Sequence, residues 1–189
     1  MRFCKWILNV AICTAAASCT LFIGREDVET PPYTVLRKDT DCELRQYGEL
    51  QVVTTGMEGR ETNQSFTRLY RYITGANADS EKIPMTAPVL MDRQSPSMSF
   101  IMPGATAQKG APPPTQEKVE LNTIAARKMA VHAFTGTDQA GTEKAAAERL
   151  LAWVKQQGLR QEGAPIFAYY DPPWTPVSKR RNEVMVLIQ

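Results

Sequence analysis

The stretch EKIPMTAPVLM, Glu81 to Met91, decides how the rest of the chain is read. Pro84 and Pro88 lie four residues apart, so no regular helix can run through them. Each also lacks the backbone donor that a central strand would use. Yet Ile83, Met85, Ala87, Val89, Leu90 and Met91 are residues of a kind that is usually buried. Just upstream, Phe66, Leu69, Tyr70 and Ile73 fall at i, i+3, i+4 and i+7, which predicts a helix with one apolar stripe and a stop at Gly75. The stretch is thus where the chain leaves a helix and returns to a sheet. Proline there holds the path extended and excludes a competing helix.

The same order of elements occurs twice. Tyr33-Val35 and Leu50-Val52-Thr54 alternate as strands before the first helix, and Met98-Phe100-Met102 alternates after it. In the second half, Val119-Leu121 and Ala130 to Thr135 read as strands, and Ala147, Leu150, Leu151 and Val154 form another helical stripe stopped by Gly158. APIFAYYDPPW and the closing strand NEVMVLIQ complete that half. Leu69 to Leu150 is 150 − 69 = 81, and the same shift carries Ile73 to Val154 and Pro84 to Pro165. It also lays Leu50-Val52-Thr54 over Val131-Ala133-Thr135. One offset for strand, stripe and proline predicts a duplicated βαββ unit. Neither half could bury its sheet face alone. The predicted fold is α+β: a distorted antiparallel β-barrel with two helices packed outside, repeat one at 33–103 and repeat two at 118–189. The Pro/Gly/Ala-rich 104–117 reads as an exposed connection between them.

The chain has 189 residues, 43% hydrophobic and 22% charged, as suits one globular domain. Its start differs. Arg2 and Lys5 precede a mostly apolar run to Ala17, and small residues Ala15-Ala16-Ala17-Ser18 lead to Cys19, the layout of an export signal over residues 1–18. Three outcomes stay open: cleavage before a lipidated Cys19, giving a membrane-anchored lipoprotein; plain cleavage, releasing a periplasmic protein; and an uncut anchor. Residues 19–32 then form a polar, proline-ended tether. Without the signal, 22 − 2 = 20 basic residues face 20 acidic ones, which offers no general attraction to nucleic acid. Of the four cysteines, Cys4 and Cys13 fall in the signal, and no CxxC or Cys/His spacing suggests zinc.

KIPMTAPV at 82–89, FIMP at 100–103 and YDPPWTPVSKRRNEV at 170–184 resemble the signatures of the SOUL heme-binding protein family. CELRQY at 42–47 and SFTRLYRYITGAN at 65–77 resemble its first strand and first helix. The likeness runs from about Tyr33 to Gln189 and implies a twisted barrel of duplicated βαββ units, in agreement with the offset. It also implies heme or another tetrapyrrole as partner, held in a hydrophobic cleft between the first helix and neighbouring loops but not needed for folding. Carried over by motif, Arg68 and Arg71 would meet the propionates, with Arg180 a further candidate. Tyr70, Ile83, Met85 and Trp174 would line the pocket. Where the heme-binding branch has a basic residue after PPW, this chain has Thr175.

His132 is the only histidine, hence the only imidazole available to iron. It is expected to be a half-exposed sheet residue more than a ligand, so iron ligation is expected to be weak or absent. Most of the eight methionines are expected to fill the core. No nucleophile elbow, paired-histidine metal motif or phosphate loop is present, which argues against an enzyme. The alternative is a binding module or hydrolase for small amphipathic molecules, in the manner of duplicated-βαββ effector-binding proteins. Glu183 or Glu120 would then act as a base with a raised pKa.

Overall fold

The computed structural model describes residues 28–57 and 62–189. The signal, Cys19 and most of the tether lie outside the described residues. Nine strands form one antiparallel sheet: β1 (Tyr33–Lys38), β2 (Cys42–Tyr47), β3 (Leu50–Gly56), β4 (Val89–Asp92), β5 (Ser97–Ile101), β6 (Val119–Ile124), β7 (Arg127–Phe134), β8 (Gln161–Tyr169) and β9 (Asn182–Ile188). Among the described residues, helices α1 (Thr62–Ile73), α2 (Gly104–Lys109) and α3 (Ala140–Gln156) and a 3₁₀ turn at Val177–Lys179 complete the fold.

The strand order is β1-β2-β7-β9-β8-β4-β5-β3-β6. Without the added edge strand β1, this order is a palindrome. Exchanging β2 with β6, β3 with β7, β4 with β8 and β5 with β9 reproduces it in reverse. A pseudo-twofold therefore passes between β4 and β8, where Met91 faces Phe167. The sequence expectation of a duplicated βαββ unit is met. The expected distorted barrel is met as a curled half-barrel sheet, with β1 and β6 as its two edges.

The 81-residue offset holds for the helices in full. Ser65, Leu69, Tyr72 and Ile73 are the buried positions of α1, and Ala146, Leu150, Trp153 and Val154 are their counterparts in α3. In the strands the equivalence is 130 − 53 = 77. Val53 and Met57 face α1, as Ala130 and Phe134 face α3. The strands thus pair four residues out of step with the helices, and the longer α3 takes up part of the difference. Pro84 and Pro165 accordingly have different surroundings. Pro84 is exposed in the irregular stretch before β4, whereas Pro165 sits inside β8 at its register irregularity.

Both helices are rolled relative to the predicted stripes. Tyr72 replaces Phe66 and Tyr70 on the buried face of α1 because its ring fills the core and its hydroxyl donates to Pro112 O at 2.7 Å. Trp153 does the same in α3, its Nε1–H donating to Asp39 Oδ2 at 3.2 Å. A buried ring with a polar tip needs such an acceptor, and each half supplies one from a connecting segment. The 104–117 connection is therefore more than an exposed spacer. It contains α2, caps α1 through Pro112, and receives the Ala78 N–H at Pro113 O.

The stretch that opened the reading packs as expected in part. Ile83 is buried against Leu69, Tyr72 and Ile73, and its N–H donates to Ile73 O. Thr86 donates to Ile101 O, the Ala87–Pro88 peptide is cis, and β4 begins at Val89. Leu69 and Leu150 are both fully buried at equivalent points of the two halves. Leu69→Ala and Leu150→Ala should each cost about 2–5 kcal/mol of stability in urea unfolding, in a single shared transition. Two separate transitions would mean that the halves fold independently.

Candidate functional site

Two surfaces can receive a ligand, one on each side of the sheet. The first is the concave face. Alternation along the strands sends Tyr47, Leu50, Leu90, Met129, Ile166 and Met185 to the side away from the helices. Together with Pro31, Pro88, Ile101, Ile124 and Tyr170 they line a shallow cleft, partly open to solvent. Each of the strands β2 to β9 contributes to its wall, so the sheet must curl around it. The lining is nearly all apolar, as in small-molecule sites. Arg127 is the only charged residue in the wall, and its Nε already donates to Ala125 O. An adjoining cleft shares Pro31, Gly48, Leu50 and Ile101 with it and adds Glu29 and Glu49. The concave face therefore favours neutral or cationic molecules over a dianion.

A buried ionic network closes one end of this face. Glu183 is 1% exposed and accepts a bidentate pair from Arg45 at 2.9 and 3.1 Å. Arg181 Nη2 and the Tyr170 hydroxyl each donate to the same carboxylate at 2.7 Å. Arg45 also donates to the Tyr47 hydroxyl and to Glu43, and its guanidinium lies over the Tyr33 ring at 4.2 Å. Burial pushes the Glu183 carboxyl up, but the two arginines outweigh it and hold it below its usual range. Burial likewise raises the Tyr47 hydroxyl to about 12. Glu183 thus stays an anion with its oxygens already occupied, the opposite of a general base with a raised pKa. Glu120, the other carboxylate considered as a base, is exposed on β6.

The second surface is the outward face of α1. Because the helix is rolled, Phe66 is 39% and Tyr70 50% exposed, with ring centroids 6.0 Å apart and planes 14° from parallel. Phe66 is propped from behind by an edge-on contact with Phe100 at 5.2 Å. Arg71 is exposed beside this pair. Arg68 is half-buried and committed to the protein: it donates to Thr55 Oγ1, Gly56 O and Ser65 Oγ. Ile83 belongs to the core beneath α1, and Met85 packs half-buried against that core. Leu69, Tyr72, Ile73 and Ile83 fill the space between α1 and the proline-containing stretch, where a cleft was expected. The structure offers a platform on top of the helix instead. Trp174 is 75% exposed, and Arg180 donates to Thr175 O and Pro173 O, which holds the DPPW loop in shape.

His132 departs from expectation. It is 7% exposed, beneath α3 and in the other half of the sheet from α1. The α1 platform therefore gets no imidazole from it. A flat dianionic ring suits this platform in shape and charge: Phe66 and Tyr70 stacked outward, the exposed Arg71 next after Tyr70 on the helix, and no carboxylate among those three side chains.

Duplicated βαββ halves on one curled sheet define an α+β class shared with proteins of quite different sequence. The chain is similar to the crystal structure of the EcmrR C-terminal domain, with a TM-score of 0.57 at 13% identity over 83% of this chain and 98% of that one. It is also similar to the crystal structure of a hydrolase from Listeria innocua, with a TM-score of 0.51 at 11% identity over 82% and 94%. These likenesses concern the fold alone. In sequence, the family model described as "SOUL heme-binding protein" matches residues 28–187. Heme-binding protein 2 of Homo sapiens is 26% identical over 178 residues, covering 85% of this chain and 86% of that protein. The chain belongs to the SOUL heme-binding protein family.

The Glu183 pair has a pH signature. Its folded pKa lies below the 4.5 of a free glutamate, so its stabilisation is complete above about pH 4.5 and is lost as pH falls through the lower folded value. Glu183→Gln should flatten the acid limb of a stability-against-pH curve. Arg45→Met, which strands the carboxylate, should cost about 3–5 kcal/mol at neutral pH. An unchanged acid limb in Glu183→Gln would show that the pair contributes nothing to pH-dependent stability.

Proposed function

We propose that this protein binds heme or a related tetrapyrrole against the outward face of α1, as a carrier without catalytic activity. Family membership supports the ligand class. The observation that carries the location is the exposed, near-parallel Phe66–Tyr70 pair beside Arg71. An exposed aromatic pair on a helix already anchored by Leu69 and Tyr72 contributes little to the core, and it offers a macrocycle two faces to lie on. Arg71 meets one propionate. Arg68, held by Thr55 and Gly56, supports the helix end and adds positive potential. Trp174 and Arg180 on the DPPW loop, and Met85 at the margin of the core, are the further ligand contacts that the family likeness implies. Iron ligation is weak or absent, because the platform's residues Phe66, Tyr70 and Arg71 include no histidine or cysteine. The export-like N-terminus supports a place in the cell envelope, either periplasmic or held by lipid on Cys19.

A second reading is favoured by the concave cleft, whose apolar wall suits a neutral or cationic amphipathic molecule. Hemin and metal-free protoporphyrin titrations on one set of variants separate the two. Removing both rings, Phe66→Ala with Tyr70→Ala, should weaken both ligands about tenfold, or about 1.4 kcal/mol. Arg71→Ala should weaken them a few-fold, as expected of an exposed charge pair. Leu90→Trp, which fills the cleft, should leave them unchanged. The reverse pattern moves the ligand to the concave face, and no Soret change at micromolar hemin removes the heme reading. Envelope placement is checked by cell fractionation, where Cys19→Ser should release a lipid-anchored protein from the membrane.

A further inference from the structure

Under α3, in the half of the molecule away from the tetrapyrrole platform, β2 and β7 bring three metal-ligating side chains together. Cys42 and His132 face each other directly in the β2·β7 register, and Asp41 immediately precedes Cys42. Cys42 Sγ lies 3.7 Å from His132 Nδ1, and Asp41 Oδ2 lies 3.6 Å from the same nitrogen. The three ligand atoms all fall within 4.8 Å of one another. With the usual zinc bond lengths, a tetrahedral centre separates its ligand atoms by about 3.3–3.6 Å. The two separations from His132 Nδ1 are already within a few tenths of an ångström of that spacing, and the Cys42–Asp41 separation, within 4.8 Å, closes by a side-chain adjustment of about an ångström at most.

We infer that Asp41, Cys42 and His132 form a binding site for a borderline-soft divalent cation of the zinc class. The donor set is one thiolate, one imidazole and one carboxylate, a mixture that selects zinc-like ions over calcium or magnesium. Binding displaces the Cys42 thiol proton to solvent. In the absence of an ion Nδ1 donates its proton to Asp41 O, and on binding that proton moves to Nε2, so that Nδ1 turns its lone pair to the ion. Nδ1 gives up its 3.0 Å contact with Asp41 O, and that carbonyl or a water takes the fourth position. Charge then balances: one dication against one thiolate and one carboxylate. That is the condition for holding an ion beside the buried Cys42 and Ala130.

Arg149 of α3 covers the entrance. Its Nε donates to Asp41 Oδ2 at 2.9 Å and its Nη2 to Asp41 Oδ1 at 3.3 Å, yet the arginine side chain is mostly exposed. The guanidinium occupies the carboxylate oxygen that the ion requires, and it swings outward when the ion enters. Sequence spacing gives no sign of this site, because Cys42 and His132 are 90 residues apart.

The test uses the full chain, stripped with chelator and kept reduced by a non-coordinating phosphine, with cobalt(II) as probe. One equivalent should produce a near-ultraviolet thiolate-to-cobalt charge-transfer band together with intense visible bands of a four-coordinate ion, both bleached by zinc. Cys42→Ser should abolish the charge-transfer band while the far-ultraviolet circular dichroism stays that of the parent. His132→Ala and the more exposed Asp41→Asn should each weaken cobalt about tenfold or more. Arg149→Ala should tighten it several-fold. No charge-transfer band in the parent chain overturns the assignment. So does a band that survives Cys42→Ser, since it would then come from Cys4, Cys13 or Cys19. If Cys42→Ser does not fold, Asp41→Asn and Arg149→Ala decide the matter by moving the affinity in opposite directions or leaving it unmoved. None of these readouts involves heme, so failure here leaves the α1 reading intact.

Discussion

Everything in this molecule depends on the pairing of β4 with β8, four residues against four across the pseudo-twofold. On one side lies the core of Val53, Leu69, Tyr72, Met98 and Phe100, and on the other that of Leu44, Ala130, Leu150, Trp153 and Val184. Each βαββ half has a helix for one face of its strands and nothing for the other. Joining the halves edge to edge along β4·β8 lets the second faces curl toward each other and share the lining of Met129, Met185, Ala168 and their neighbours. The central join must therefore be regular. It is, with Val89 to Asp92 in unbroken register against Tyr169 to Ile166.

The curl sets the division of labour between the two faces. Concavity creates an apolar cleft whose few polar tips are already paired: the Tyr47 hydroxyl with Arg45, the Tyr170 hydroxyl with Glu183. Buried charges that are fully paired hold a shape and do little chemistry. The convex face carries the helices, and there the roll of α1 decides which aromatics are spent on the core. Tyr72 goes inward because Pro112 O accepts its hydroxyl. Phe66 and Tyr70 are left outward as a consequence. The outward face of α1 is thus the one whose shape and charge suit an anion-bearing ring.

Methionine follows the same logic on both faces. Met91, Met98 and Met102 fill the α1 core, where flat and branched side chains from sheet and helix meet irregularly. Met129 and Met185 instead face the cleft. This agrees with the expectation that most methionines act as filler. Met85, beside Pro84, lies between the two roles, packed half-buried at the margin of the α1 core.

Periodicity and repetition by themselves established the duplicated βαββ plan, since the 81-residue spacing of Leu69 and Leu150 carries all four buried positions of α1 onto buried positions of α3. The prolines of the 82–89 and 170–184 blocks carried the family as well, because proline restricts the backbone locally whatever surrounds it. The roll of the helices was beyond such reasoning. Phe66 and Tyr70 match an apolar stripe as well as Ser65 and Tyr72 do, and only an acceptor on a distant connection, Pro112 O, chooses between them. The four-residue slip between strand and helix equivalence was equally hidden, since an even slip leaves the strand's alternation unchanged. Tertiary structure alone buried His132, satisfied Glu183 with two arginines, and set Cys42 against an imidazole 90 residues away. Those are contacts between strands adjacent in the sheet and remote in the chain, and a linear pattern holds no record of which strand will be the neighbour.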